Sequence, residues 1–491
     1  MLTRYDVVLF DATVSSIMTL SLAALAPPAD ATRVYSTAEQ NALQLQNELL
    51  NLNTDSSALL LCYERALALL PRLEAVHTSD TEAQTRSRRA AQQAHALMLT
   101  VHQHFIEAAA QKAYETGLFV SSRPRLEALG MVLESAWQLS CLHARTLTPL
   151  PKGFWLGCHL CFAEITTLGW ARRTLKNGNH LAAIYRQIML LGISASNRLE
   201  PQKMALLFNI VQDEARYLDL VQLDQALNEQ GAFLYQTDSD DAPRFTQERP
   251  SQEPQVWWII ETQGILKRLS IRLQRLLVQT EDRHHEIQLI GRLLQEWAAP
   301  PRRQHFRLRR RNGEQIQLIS LWPRCWNIAA GHIDDAAPEP AKLNICNISA
   351  SGLLLQGESL NQPLQAGEIL MLRRSDQHWQ LGLVRWLSLR GDGLSSECGI
   401  ELIGRSPEAV HIAPITSLGA DTLTPALSLA PDIRRGHNGM LILAGKQYQA
   451  MRMFTVHDSR GICKVRATRL VMQTAYYQFI ETRLEEISPK E

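Results

Sequence analysis

The stretch Asn347-Ile348-Ser349-Ala350-Ser351-Gly352 has the pattern N-x-S-x-x-G and lies between apolar runs. Some forty residues earlier, Arg303-Gln304-His305-Phe306-Arg307 places two arginines four residues apart. Neither motif is specific by itself. Apolar and polar residues alternate around the second motif and again in Val384-Arg385-Trp386 and Gly399-Ile400-Glu401-Leu402, which is typical of strands. The sequence therefore predicts a polar turn within a β-rich region.

Composition limits the class of protein. A chain of 491 residues exceeds what one core usually covers, so two or three domains are expected. The 50 basic residues nearly balance the 49 acidic ones, so the chain as a whole is not an electrostatic binder of nucleic acid, and we expect no nucleic-acid partner. The eight cysteines are widely scattered, which indicates reduced thiols and a cytoplasmic location.

Two apolar stretches bear on membranes and secretion. Val14 to Ala26 loosely resembles a signal peptide, but Asp6 and Asp11 lie where such a peptide carries positive charge. Phe154 to Trp170 is interrupted by Glu164 and other polar residues. We therefore expect neither secretion nor a membrane span.

Residues 1–236 are predicted to form an all-helical N-terminal region. Apolar residues recur there at helical spacing, and few prolines or glycines lie within the runs. The predicted helices are Ser56 to Val76, Thr85 to Thr116, Leu126 to Arg145, Gly157 to Arg173, Leu181 to Leu191 and Pro201 to Val211.

The remainder divides into four segments. Residues 237–255 are polar and proline-rich, which predicts a loop or linker, and residues 256–300 are predicted to be connecting helices. Residues 301–406 are predicted to form a small antiparallel β-barrel, because the period becomes alternating beyond residue 312. Residues 407–491 are predicted to be a further C-terminal β-rich segment, with hairpin turns such as Ala444-Gly445-Lys446.

The order R-x-x-x-R, then N-x-S-x-x-G, then two strands resembles the PilZ domain family over roughly residues 301 to 404. The resemblance implies a β-barrel that binds cyclic di-GMP and no cofactor. It also implies the ligand-binding residues Arg302, Arg303, Arg307, Asn347, Ser349 and Gly352, with Arg302 as an additional phosphate contact. The interval between the two motifs is longer than is usual in the family, with an insertion-like segment around Gly331 to Pro338.

These residue types suit that ligand. Cyclic di-GMP has two phosphates and two guanines, and arginine can pair with the phosphates and donate two hydrogen bonds to a guanine edge. The Asn347 amide and Ser349 hydroxyl offer short polar contacts. Gly352 permits a tight turn or a close approach of the ligand.

The sequence predicts no catalytic residues, because it contains no G-x-x-x-x-G-K-[ST], H-E-x-x-H or G-x-S-x-G motif. Cys158-His159-Leu160-Cys161 has the spacing of half a zinc site, but it lies in a run typical of a buried helix, so we expect no metal. The hypothesis is a non-catalytic cyclic di-GMP effector that acts on an unidentified protein partner through its helical region. The alternative is a degenerate PilZ adaptor that joins proteins without nucleotide.

Overall fold

The computed structural model describes residues 37–52, 56–73, 81–114, 122–223, 231–247, 257–279, 283–300, 307–309, 314–332, 339–358, 364–374, 378–389, 395–415, 422–431, 438–459 and 461–489. The chain divides into two compact units. The first comprises Met1–Ser196, Lys203–Arg302 and Gly391–Gly393, and the second Asn197–Gln202, Arg303–Arg390 and Leu394–Glu491. None of the described helices is both long and apolar enough to cross a bilayer.

The first unit is mainly helical, as the sequence predicts. Its helices are α1 (Thr37–Leu50), α2 (Ser56–Leu73), α3 (Thr81–Tyr114), α4 (Arg123–Thr146), α5 (Phe154–Thr167), α6 (Leu181–Gly192), α7 (Pro201–Glu214), α8 (Gln263–Val278) and α9 (His284–Ala298). On α3, Leu97, Val101 and Phe105 recur every four residues and are buried, so they form one apolar face. Pro124 occupies the first turn of α4, where its missing N–H removes no helical hydrogen bond.

A four-stranded sheet also belongs to this unit, and it corrects the all-helical prediction for residues 1–236. Its strands are β1 (Asp219–Gln222), β2 (Ala232–Gln236), β3 (Arg244–Thr246) and β4 (Trp257–Glu261), in the antiparallel order β1-β4-β2-β3. β4 lies in the segment 256–300, which was predicted to consist of connecting helices. The prediction is wrong for these five residues, because an apolar run this short does not distinguish a strand from a helix.

The predicted loop or linker 237–255 is partly structured. β3 lies within it, and Asp240 caps the N-terminus of α5. The carboxylate of Asp240 accepts hydrogen bonds from the backbone N–H groups of Gly153 (2.5 Å), Trp155 (3.0 Å) and Leu156 (3.3 Å). These N–H groups have no partner within the helix, and a carboxylate also suits the positive end of the helix dipole. The described part of the segment, residues 237–247, therefore packs as part of the first unit.

The second unit contains the predicted PilZ-like barrel. Its strands are β6 (Gln315–Ser320), β7 (Ala341–Ile348), β8 (Gly352–Glu358), β9 (Ile369–Arg374), β10 (Gln380–Leu389) and β11 (Ser395–Arg405). The order β7-β6-β9-β10-β11-β8 closes through pairing of β7 with β8. A short strand, β5 (Leu308–Arg309), pairs with β7 where β6 no longer does.

The predicted C-terminal β-rich segment forms a second closed barrel. It consists of β12 (Glu408–Pro414), β13 (Thr424–Leu429), β14 (Gly439–Ala444), β15 (Met453–Asp458), β16 (Gly461–Gln473) and β17 (Tyr477–Pro489), in the order β12-β13-β14-β17-β16-β15. Pairing of β12 with β15 closes it.

The two barrels share one apolar core. Met371 and Leu383 of the first barrel cluster with Ile442 and Phe479 of the second. Helix α10 (Trp322–Ala329) contributes Trp326, whose Nε1 donates to the carbonyl oxygens of Val410 (3.3 Å) and Ala426 (3.1 Å). The barrels are therefore packed together as one body.

Candidate functional site

The N-x-S-x-x-G motif forms the tight turn between β7 and β8. The backbone N–H of Ser349 donates to the carbonyl oxygen of Gly352 at 2.8 Å, and the Ser349 hydroxyl donates to the same oxygen at 3.2 Å. The N–H of Leu402 on β11 donates to the carbonyl oxygen of Ser351 at 2.8 Å. The turn is therefore held both by its own hydrogen bonds and by the neighbouring strand.

Close packing of β8 against β11 explains the glycine at position 352. Gly352 pairs with Glu401, and a Cβ on Gly352 would collide with the carbonyl oxygen of Ile400. A backbone atom within a sheet cannot move aside as a flexible side chain can. Gly352 is thus required for a close backbone approach rather than for a left-handed conformation.

The structure brings Arg307, the last residue of the arginine motif, to this turn. β5 pairs antiparallel with β7, with Leu308 opposite Ile348 and Arg309 opposite Asn347. One residue beyond this pairing lie Arg307 on one side and Ser349 on the other, so these residues are neighbours. Arg307 is exposed, and Asn347 and Ser349 are half-buried, so all three can reach a ligand from solvent.

The long interval between the two motifs therefore does not separate Arg307 from the turn. Strand β6 and helix α10 lie within this interval, and the pairing of β5 with β7 brings Arg307 back to the turn. Arg302 and Arg303 lie outside the described residues, as do residues 333–338 of the insertion-like segment.

A charged pair beside the turn was not predicted as part of the site. Glu401 lies opposite Gly352 on one side and Leu383 on the other, and its carboxylate accepts a hydrogen bond from the half-exposed guanidinium of Arg385. The sequence marked Val384-Arg385-Trp386 only as a strand, since its register against β11 cannot be read from local pattern. An arginine–glutamate ion pair therefore lies next to the motif.

An aromatic side chain lies on the same strand pair. The indole of Trp386 occupies the space that a side chain at Gly399 would take, and Gly399 pairs with both Trp386 and Leu354. Leu354 pairs in turn with Asn347. A cation, an amide, a hydroxyl and an indole thus lie along neighbouring strands, an arrangement suited to a ligand that is both anionic and planar.

The Cys158-His159-Leu160-Cys161 stretch lies in α5 of the first unit. Cys158 and Cys161 are buried, and burial raises the pKa of both thiols. His159 Nδ1 lies 2.7 Å from the Tyr185 hydroxyl, and burial lowers the pKa of the imidazole to about 4. Across the part of the chain that the structure describes, no cluster of three or more potential metal ligands occurs.

Two family models match the chain. The model described as the N-terminal domain of the cyclic-di-GMP receptor FimW matches residues 20–225, and the model described as the middle PilZ domain of that receptor matches residues 328–409. The second match includes Asn347, Ser349 and Gly352 and begins after Arg307. No curated protein and no solved structure matches the chain. Together the two matched ranges span more than half of the sequence, and the chain belongs to the FimW family of cyclic-di-GMP receptors, with its PilZ domain in the C-terminal half.

Proposed function

We propose that this protein is a non-catalytic effector that binds cyclic di-GMP at the turn between β7 and β8 and couples binding to a protein partner through its helical region. The pairing of β5 with β7 carries the proposal, because it brings Arg307 beside the N-x-S-x-x-G turn. The family description, a cyclic-di-GMP receptor, supports the ligand.

Each group at the turn has a role toward this ligand. Arg307 offers a charged donor to a phosphate or a guanine edge, and the Asn347 amide and Ser349 hydroxyl offer shorter neutral contacts. Arg303 is four residues from Arg307, so the chain keeps the two Cα atoms within about 14 Å, a distance that one dinucleotide can bridge. Arg302 adds a further positive charge for the second phosphate.

The proposed signal is a change in the arginine segment. Residues 301–306 connect the last helix of the first unit to β5 in sequence. A ligand bound by both this segment and the turn restricts the segment, and it shifts the population toward the conformations in which the segment lies against the barrel. The helical region then meets its partner in a different arrangement.

Isothermal titration with cyclic di-GMP tests the residue assignment. Arg307→Ala and Asn347→Ala should each weaken binding by tenfold or more, since a charge-assisted hydrogen bond contributes about 1.5–3 kcal/mol and a neutral one about 1 kcal/mol before the cost of an unpaired ligand atom is added. Lys342→Ala is the matched control. It removes an exposed cation from β7 that lies about 17 Å from Asn347 along the strand.

The control should bind as the wild type does, and circular dichroism should show all three variants folded. Undiminished affinity in both Arg307→Ala and Asn347→Ala would place the nucleotide elsewhere. If the wild type itself does not bind, the degenerate adaptor is the better description.

We also propose a cytoplasmic location. All eight cysteines are free thiols in the structure, which suits a reducing compartment.

A further inference from the structure

The first unit contains a cleft that is lined by arginines. It has a volume of about 510 Å³ and is formed by the C-terminal end of α7, the 3₁₀ turn Ala215–Tyr217 and one face of α8. Four guanidiniums line it, from Arg216, Arg268, Arg272 and Arg275. Among the described residues, two carboxylates, those of Asp213 and Glu214, line the same cleft, so this lining carries more positive than negative charge.

Two of the arginines are fixed in place. The guanidinium of Arg268 donates to the buried carboxylate of Glu214 at 2.7 Å and lies 3.7 Å from the centre of the Tyr217 ring. Arg272 donates to Glu286 on α9 at 2.7 Å and lies 3.8 Å from Asp213. These contacts hold both side chains in one orientation, so little conformational entropy remains for a partner to remove.

The other two arginines are available to a ligand. Arg216 lies over the Tyr217 ring at 4.9 Å, and among the described residues neither Arg216 nor Arg275 forms an ion pair with a carboxylate. Arg275 is exposed on α8, seven residues after Arg268 and therefore on the same face of the helix.

Apolar groups on this helix face narrow the class of partner. Ile271 lines the cleft and is 43% exposed, and Val278 lies three residues beyond Arg275 and is 85% exposed. A nucleic-acid backbone gains little from exposed aliphatic side chains. A peptide that carries both carboxylates and aliphatic side chains complements the guanidiniums of Arg216 and Arg275 and the exposed side chains of Ile271 and Val278.

We propose that this cleft is the docking site for an acidic amphipathic segment of a protein partner. The carboxylates of that segment pair with Arg216 and Arg275, while its aliphatic residues cover Ile271 and Val278. The inference rests on the proposed coupling to a partner for its biological role and names the chemistry of that partner. Binding at the cleft itself requires no nucleotide.

Fluorescence anisotropy tests the proposal with the full chain and a labelled peptide of four Glu-Leu-Ala-Glu repeats. The peptide should bind, and its affinity should fall as salt is added, since exposed charges are screened. The double variant Arg216→Glu/Arg275→Glu should weaken binding by at least about tenfold, because each reversal replaces an attraction by a repulsion. Arg172→Glu is the control: it reverses one exposed charge of the same unit outside the cleft and should bind normally.

Other ligands tested in the same assay distinguish an acidic peptide from other kinds of partner. The same peptide with Lys in place of every Glu should not bind. Absence of binding by the acidic peptide, or equal binding by the double variant, overturns the proposal. Stronger binding of single-stranded DNA or of anionic phosphatidylserine vesicles that requires the same two arginines also overturns it, in favour of a phosphate partner. Cyclic di-GMP titration of the double variant should give wild-type affinity, so failure at the cleft is distinguishable from failure at the nucleotide site.

Discussion

Lowering the pH from about 8 to about 5 should destabilise the helical unit, because this unit buries histidines in their neutral form. His102 on α3 is only 2% exposed, and its Nδ1 lies 2.8 Å from the Ser135 hydroxyl of α4. That hydroxyl donates its proton to the carbonyl oxygen of Met131 at 2.7 Å and so accepts from the imidazole. Burial lowers the pKa of His102 to about 4.

The size of the effect follows from linkage. The folded-state pKa lies below the unfolded value of 6.5, so the stability is fully present above pH 6.5 and is lost as the pH falls toward 4. Relative to pH 8, one such histidine lowers the free energy of unfolding by roughly 2 kcal/mol at pH 5 and by roughly 3 kcal/mol once it is fully protonated in the folded state. Burial likewise lowers the pKa values of His143 and His159 to about 4. The three together would remove roughly 6–9 kcal/mol when the pH is low enough, which is comparable to the roughly 5–15 kcal/mol that stabilises an entire domain.

Urea unfolding followed by far-ultraviolet circular dichroism at several pH values measures this loss, since helices dominate that signal. His102→Gln removes the titrating group and keeps a hydrogen-bonding side chain. The substitution itself changes the free energy of unfolding at pH 8. The further decrease in this free energy between pH 8 and pH 5 should be smaller in the variant than in the wild type by roughly 2 kcal/mol.

His180→Gln is the matched control, because His180 is exposed, and its loss of stability with pH should equal that of the wild type. An identical loss in His102→Gln and in the wild type would refute the reasoning, since the protonation of His102 would then contribute nothing to acid unfolding.

One substitution in each unit tests the packing of that unit. Asp240→Ala should reduce the free energy of unfolding of the helical unit by about 1–2 kcal/mol in urea titrations, because it removes the cap of α5, whereas Asp241→Ala, which removes a local contact to Ser239, should have little effect. Trp326→Phe should destabilise the paired barrels by about 1–3 kcal/mol in thermal unfolding, because two carbonyl oxygens lose their donor; a midpoint equal to that of the wild type would contradict the shared core.

Local periodicity predicted most of the elements. The helix predicted from Ser56 to Val76 is observed from Ser56 to Leu73, and the one predicted from Thr85 to Thr116 is observed from Thr81 to Tyr114. Both carry apolar residues at helical spacing over several turns, for example Leu59, Tyr63 and Leu70 in the first and Leu97, Val101 and Phe105 in the second.

The four-stranded sheet of the first unit could not be predicted in this way. β1 has only four residues, three of them exposed, so it shows neither an apolar run nor a clear alternation. Its partner, β4, is about forty residues away in sequence, with Asp219 opposite Glu261. Tertiary packing determines a pairing of this kind, and the local sequence pattern carries no information about it.

The candidate site shows the same division. The residue types and spacing of Asn347, Ser349 and Gly352 indicated a turn, and the structure has that turn. The pairing of β5 with β7, which brings Arg307 to the turn, and the position of Arg385 beside Glu401 depend on register between distant strands. Sequence therefore indicated the chemistry of the site but not its complete set of neighbours.

The most direct test of the central claim is isothermal titration of the wild-type chain with cyclic di-GMP, with GTP as the control nucleotide. Charge-assisted contacts from the arginine segment, together with the amide and hydroxyl of the turn, should give saturable binding with a Kd in the micromolar range or tighter, and GTP should not match it. An absence of heat up to about millimolar cyclic di-GMP, or equal binding of GTP, would contradict a cyclic di-GMP effector.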